Sequence, residues 1–334
     1  MPDTRQEIRL ALPSKGMLGD AALELLANAG LPVYKPNPRQ YVASIPNLPG
    51  ISVLFQRPGD IVTSVREGGA DFGITGWDVV CEHQDDSNSI LPIHPALGFG
   101  VCALQIIVPE AWEQVNDMIS LRAWQAKLGR PARVATKFPR LTRSFLERHG
   151  LCEFELIAAE GTLEIAPTIG YADLICDLVS TGTTLRDNRL KCLADGLVLA
   201  SQSCLIANRA RLKTHPPTLA AARTLLEYIV AHLRAVETVS VYANMRGDSA
   251  ESIAERMFTQ QVIGGLQGPT LSPVITRQGE KWYAAHLIVR KDQLPLAISE
   301  LRRVGGSGVV VTPVTYIFEE EPAEYRQMLN LLEG

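Results

Sequence analysis

What most limits the fold of this chain is its alternation of short apolar runs with helical stretches. "IRLAL", "ISVLF", "ADFGIT", "CALQIIVP", "ARVATK", "FELIAA", "ADLICDLVS" and "SCLIAN" all have the length and composition of buried strands. Between several of them lie amphipathic stretches. In "MLGDAALELLANAG", Leu18, Ala21, Ala22, Leu25, Leu26 and Ala29 recur at helical spacing, and Gly30 sits where a helix C-terminal glycine belongs. "PGDIVTSVREGG" and "PRLTRSFLERHG" are two more. Strands alternating with helices predict parallel-type sheets covered on both faces. Two such sheets, with the chain crossing to the second near residue 100 and returning near 190, account for residues 1–235.

From Val236 the texture changes. "TVSVYANM", "TLSPVIT", "WYAAHLIV" and "SGVVVTPV" read as strands, "SAESIAERMF" and "KDQLPLAISELRRVG" as helices, the first opened by an Asp248 or Ser249 cap. The order βαββαβ is that of a ferredoxin-like unit. The last residues, "EEEPAEYRQMLNLLEG", predict an acidic turn and a short surface helix. The expected fold is therefore α/β, with a two-lobed, periplasmic-binding-protein-like core and a C-terminal ferredoxin-like regulatory domain. Residues 1–103 and 193–235 form lobe I, 104–192 lobe II, and 236–334 the regulatory domain and tail.

Composition removes several function classes. At 334 residues, 46 % hydrophobic and 20 % charged, the chain reads as a soluble globular protein. A net charge of -4 argues against a nucleic-acid-binding surface. No run approaches the roughly 20 apolar residues of a membrane span. "MPDTRQEIRLALPSKG" lacks a basic segment followed by an apolar one, so export is not expected. Six scattered cysteines with no zinc spacing fit a reducing cytoplasm; Cys81 and His83 alone make no metal site.

The chemistry concentrates in "ADLICDLVSTGTTL". Asp173 and Asp177 belong to an otherwise apolar strand and, four apart, lie on one side of it. Carboxylates in a buried strand are costly unless paired or functional. Ser180, Thr181, Gly182, Thr183 and Thr184 follow at the strand's carboxyl end, with more hydroxyls than a turn requires. Carboxylates suited to sugar hydroxyls or magnesium, followed by a phosphate-wrapping loop, describe a phosphoribose pocket. The plain structural alternative is that Asp173 caps the preceding helix and Thr183 or Thr184 the next.

With "LALPSKG", "RPGDI", "GADFGITGWD", "LGFGVCAL", "RVATKFPRLTRSFLERHG" and "EIAP", that stretch resembles ATP phosphoribosyltransferase in its long form, the enzyme that opens histidine biosynthesis. The resemblance spans nearly the whole chain. It implies condensation of ATP with phosphoribosyl pyrophosphate to N1-(5-phosphoribosyl)-ATP and pyrophosphate, with Mg2+ and with histidine as feedback inhibitor. Ser180 to Thr184 would hold the 5′-phosphate, Asp173 and Asp177 would face the ribose and share the magnesium, and Glu164 would lie nearby. Lys15, Arg57, Gly76 and Trp77 would meet the leaving pyrophosphate or the nucleotide from lobe I. Thr270, Ser272, Gly306 and Ser307 would form the histidine site, and the assembly would be a homohexamer or dimer.

Two positions depart from the family pattern. Met17 and Thr168 stand where arginines are common, and each lost charge-assisted contact costs about 1.5–3 kcal/mol. Lys15, Arg57 and Arg186 are the residues able to compensate. Two other readings fit parts of the chain: a two-lobed ligand-binding or sensing protein, and a catalytically weakened regulatory relative.

Overall fold

The computed structural model describes residues 6–333 except 38, 39, 86, 160, 266, 267 and 278. Its first sheet grows around β1 (Ile8–Pro13), an apolar strand with Leu10, Ala11 and Leu12 fully buried. Helix α1 (Met17–Asn28) follows and ends as its glycine predicts, with Gly30 at φ +78° and the Leu31 N–H donating to Leu26 O. Next come β2 (Val42–Ser44), β3 (Ile51–Gln56), α2 (Pro58–Arg66), β4 (Phe72–Gly76), α3 (Trp77–His83) and β5 (Ile90–His94). Proline at the first position of α2 removes an N–H that would have lacked a partner there.

The chain then enters a second sheet through β6 (Cys102–Pro109) and α4 (Met118–Gln125), continuing with β7 (Ala132–Thr136), α5 (Pro139–Arg148) and β8 (Phe154–Ala158). After a 3-10 turn at Leu163–Ile165 come β9 (Leu174–Val179), α6 (Thr183–Asp187) and β10 (Leu190–Ser201). Strand β11 (Ser203–Asn208) returns to the first sheet. The strand orders are β2-β3-β1-β4-β11-β5 and β10-β6-β9-β7-β8.

Both sheets are mixed, each built on three parallel strands, in keeping with the parallel-type sheets expected. β1 runs parallel to β3 and β4, and β7 parallel to β8 and β9. The strands adjoining the crossovers, β6, β10 and β11, run antiparallel to their neighbours. The return comes later than expected. β10 pairs with β6 along its length, so the chain leaves the second sheet at Gln202 rather than near 190. A strand already hydrogen-bonded into one sheet cannot change sheets until its ladder ends.

By internal contacts the chain divides into two units. Residues 1–27, 31–223 and 323–334 form the first, and 28–30 with 224–322 the second. The boundary falls inside α8 (Pro216–Val236), which follows α7 (Arg209–Thr214) and ends at the predicted residue 236.

In the second unit β12 (Thr238–Arg246), α9 (Ala250–Phe258), β13 (Thr270–Val274), β14 (Trp282–Arg290), α10 (Leu294–Arg303) and β15 (Gly306–Pro313) reproduce the βαββαβ order, arranged β13-β14-β12-β15. Ser249 caps α9, accepting from the Ser252 N–H at 3.2 Å. Val241, Met245, Ile253, Met257, Leu287 and Leu301 fill the core between sheet and helices.

The predicted histidine residues do not converge within this unit. Ser272 pairs with Ala284, Ala284 with Asn244, and Asn244 with Ser307. Thr270 and Ser272 therefore occupy one edge of the sheet and Gly306 and Ser307 the other, three strand spacings or roughly 14 Å apart. Gly305, at φ +93°, terminates α10. A Cβ on Gly306 would meet Leu301 O at 2.7 Å and Met245 Sδ at 2.9 Å. These two glycines serve a helix end and its packing.

The C-terminal helix is also more than a surface appendage. In α11 (Ala323–Glu333), Tyr325, Met328 and Leu332 are buried, and the helix belongs to the first unit, where Arg209 donates to Leu331 O. Among the described residues no helix is long and apolar enough to cross a membrane.

Candidate active site

The hydroxyl-rich loop folds at the carboxyl end of β9. Ser180, Thr181, Thr183 and Thr184 are exposed, and the Thr181 and Thr183 hydroxyl oxygens lie 3.2 Å apart. Gly182 has φ +71° and ψ 5°, the left-handed region that a side chain would strain. None of these hydroxyls caps α6, whose N-cap is Gly182 itself. They are left facing solvent.

Asp177 lies near the same end of β9, half-buried, with its Oδ1 accepting the Leu178 N–H at 2.8 Å. Burial pushes its carboxyl above the ordinary value, the Leu178 N–H and the Lys137 ammonium pull it down, and Glu164 raises it. Lys137 follows β7, whose Thr136 pairs with Cys176. It thus leaves β7 beside Asp177, near enough for its charge to act on that carboxyl. Glu164 comes from the 3-10 turn, held over the Asp177 face of the sheet by Leu163, which packs with Ala135 and Ile175. Sequence reasoning missed Lys137. Its signal was a charged residue directly after the buried run "RVAT", legible only once β7 and β9 are known to be neighbours.

Asp173 is a correction. It precedes β9, at the opposite end from the loop, and its oxygens are occupied. Arg130 donates to both at 2.7 Å, the Arg133 N–H to Oδ2 at 2.8 Å, and the Arg133 guanidinium to Oδ1 at 3.1 Å. Against the upward push of burial, the Arg130 and Arg133 hydrogen bonds hold this carboxyl well below the usual carboxylate range. Lobe I contains the same device. Asp71 precedes β4, accepts the Arg9 N–H of the neighbouring strand at 2.8 Å, and pairs with the buried Arg211 at 2.7 Å. The two "AD" pairs, Ala70-Asp71 and Ala172-Asp173, tie a strand start to its parallel neighbour. Spacing along the chain cannot distinguish the two ends of a strand from a shared face, and so grouped Asp173 with Asp177.

In lobe I, Lys15 and Arg57 leave the carboxyl ends of adjacent strands, Pro13 of β1 pairing with Gln56 of β3. Both are exposed. Lys15 and Lys35 line one cleft of about 120 Å³ with Ser14 and Phe55, where the Lys35 Nζ lies 4.2 Å from the Phe55 ring centroid. Met17 opens α1 beside them, 87 % exposed.

Gly76 and Trp77 sit where β4 passes into α3. The space a Cβ on Gly76 would fill is taken by the Asp78 carboxylate, which accepts from Ser201 Oγ at 2.6 Å. Trp77 lines a cleft of about 240 Å³ with Val80, Ile90, Pro92 and Leu331, as part of the packing around α3 and α11. Thr168 borders another cleft, about 570 Å³, with Pro109, Glu110 and Arg189. Because Ile107 pairs with Ile175 and Leu190 with Pro109, that cleft is at the end of β9 opposite the loop. The missing arginine at 168 does not bear on the loop.

The two sheet edges are clasped by Glu82 of α3. Its carboxylate accepts the backbone N–H groups of Arg140 at 2.8 Å and Leu141 at 3.0 Å, capping α5 directly after Lys137. Arg140 Nε donates back to Glu82 O at 2.9 Å. α3 starts at the carboxyl end of β4 and α5 at that of β7, so the clasp ties the helices that follow these two strands. No cluster of three or more His, Cys, Asp or Glu suited to a metal occurs among the described residues.

This geometry has relatives. The family model described as ATP phosphoribosyltransferase matches residues 57–235, and that described as "HisG, C-terminal domain" matches residues 235–316. ATP phosphoribosyltransferase 2, chloroplastic, of Arabidopsis thaliana is 43 % identical over 98 % of this chain and 81 % of its own. ATP phosphoribosyltransferase of Bradyrhizobium sp. (strain ORS 278) is 33 % identical over 93 % of this chain and 94 % of its own. Among solved structures, the ATP phosphoribosyl transferase (HisG:HisZ) complex from Thermotoga maritima aligns with TM-score 0.53 at 24 % identity, covering 67 % of this chain and 98 % of that one, a likeness of fold. With both of its units matched and its hydroxyl loop at the carboxyl end of β9, the chain belongs to the ATP phosphoribosyltransferase family.

Proposed function

We propose that the edge bearing Asp177 is where this family member joins ATP to phosphoribosyl pyrophosphate, the first step of histidine biosynthesis. Adenine N1 attacks the anomeric carbon, the new N–C bond forms, and the bond to the pyrophosphate oxygen breaks with its electrons leaving on pyrophosphate. The attacking lone pair is already free, so the demand on the protein is electrostatic. Ser180 to Thr184 hold the 5′-phosphate through hydroxyls and loop N–H groups, since a helix as short as α6 contributes little dipole. Asp177 and Glu164 face the ribose and stabilise positive charge at the anomeric centre. Lys137, with Lys15 and Arg57 from lobe I, faces the departing pyrophosphate, and Lys35 supplies the cation that Met17 does not. The observation that carries this reading is the grouping of Asp177, Glu164 and Lys137 beside the exposed hydroxyl loop.

Two carboxylates with no third ligand suit a magnesium ion that arrives on the substrate phosphates. Asp173 is excluded from its shell by Arg130 and Arg133. When bound, magnesium supplies neutralisation of pyrophosphate charge. Histidine acts on the βαββαβ unit, by a site other than a single-chain pocket of Thr270, Ser272, Gly306 and Ser307. Edge strand β15, with Val310 55 % and Val311 37 % exposed, supports self-association into a dimer or hexamer.

The test is a steady-state assay of the wild type, Asp177→Asn, and the Thr181→Val, Thr184→Val double variant. Asp177→Asn should lower kcat at least tenfold, and the double variant should raise KM for phosphoribosyl pyrophosphate with kcat nearly kept. A fully active Asp177→Asn would place the chemistry elsewhere, and an inactive wild type would favour the weakened regulatory relative.

A further inference from the structure

Gln105 is the polar side chain beside Asp177 that the reading above leaves unused. It lies in β6 directly opposite Asp177, and on its other side it pairs with Leu197 of β10. Residues opposite one another in antiparallel strands share a face. Leu197, Gln105 and Asp177 therefore form one row across the sheet. The next pair on that face is Ala103 with Val179, both half-buried. Leu197 is 49 % exposed. Gln105 is thus a lone amide in an apolar floor, next to the carboxylate assigned to the sugar. Its Oε1 is buried and takes no donor among the described residues. An acceptor so placed is unfavourable unless a partner arrives in the working state.

We propose that Gln105 reads the adenine of ATP, its amide pairing with the N6–N7 edge while Leu197, Ala103 and Val179 carry the face of the ring. This rests on the placement of the reaction at Asp177. An amide matches that edge in both directions, Oε1 accepting from the 6-amino group and Nε2 donating to N7. Because Oε1 is buried in the free chain, pairing requires the Gln105 side chain to swing toward the cleft until both ends of its amide meet the base. N1 lies on the far side of the amino group and stays free to attack, as the reaction requires. A 6-oxo purine offers two acceptors on the same edge and sets its O6 against Oε1. The residue therefore selects for an amino group as well as binding it.

Gln105→Leu removes both polar groups at nearly constant volume, and Gln105→Glu keeps an acceptor while losing the donor to N7. The full chain is assayed with saturating phosphoribosyl pyrophosphate, and ATP, 7-deaza-ATP and inosine 5′-triphosphate are compared through KM or competitive inhibition constants. The wild type should bind the two analogues roughly tenfold or more weakly than ATP. Gln105→Leu should bind all three within about twofold of one another, with KM for phosphoribosyl pyrophosphate unchanged and no loss in melting temperature. Gln105→Glu should lose only the discrimination against 7-deaza-ATP. If Gln105→Leu keeps the wild-type preference, or weakens all three nucleotides equally, the assignment is overturned. Should Gln105→Leu not fold, an unaltered preference in Gln105→Glu overturns it instead. A failure of the underlying placement has a different signature, full activity of Asp177→Asn.

Discussion

Replacing Asp173 by asparagine separates a structural carboxylate from a catalytic one. The asparagine keeps an acceptor for the Arg133 N–H but loses the charge that faces two guanidinium groups. Arg130 reaches into solvent, where its pairing is screened and adds little. The Arg133 contact is better sheltered, its side chain 33 % exposed against 10 % for that of Asp173, and Arg133 Nε already lacks a partner among the described residues. Losing a hydrogen bond to a charged group of this kind costs about 1.5–3 kcal/mol. For a unit of this size each kcal/mol lowers Tm by about 2–4 °C, so differential scanning calorimetry at pH 7 should show a fall of roughly 3–12 °C. The Asp173 pKa is depressed in the folded state, so its stabilisation is complete above the unfolded value of about 3.9 and is lost as pH falls through it toward the folded value. The gap between wild type and variant should accordingly narrow below about pH 4. At 25 °C, where both are folded, kcat and KM for phosphoribosyl pyrophosphate should match within about twofold. An unchanged Tm combined with a tenfold rise in that KM would refute the reasoning and return Asp173 to the ribose.

Glu82→Ala should remove the cap on α5 and cost about 0.5–2 kcal/mol, read as a lower Tm, together with a higher KM for phosphoribosyl pyrophosphate because Lys137 directly precedes the loosened turn; a raised KM without any loss of Tm would detach the clasp from α5. Millimolar histidine should raise the melting temperature of the intact chain and inhibit turnover, and the absence of both would remove the regulatory assignment while leaving the catalytic one in place.

By itself the sequence determined the local structure. Apolar runs of strand length, Gly30 after α1, proline opening α2 and Ser249 opening α9 each act within a few residues, so their effect is readable in order. The same is true of the loop from Ser180 to Thr184 and of Asp177 just before it. Tertiary structure decided which strands lie side by side and which ends coincide. Asp173 and Asp177 share a strand, yet arginines brought by β7 and the segment before it claim the first. Lys137 and Gln105, 40 and 72 residues from Asp177 in the sequence, become its neighbours through the order β6-β9-β7. Thr270 and Gly306 look like companions in the chain, but the order β13-β14-β12-β15 sends them to opposite edges. A strand's own residues set its period and burial. Its neighbours are fixed by hydrogen bonds to distant segments, and it is the neighbours that turn a carboxylate into a staple or into part of a site.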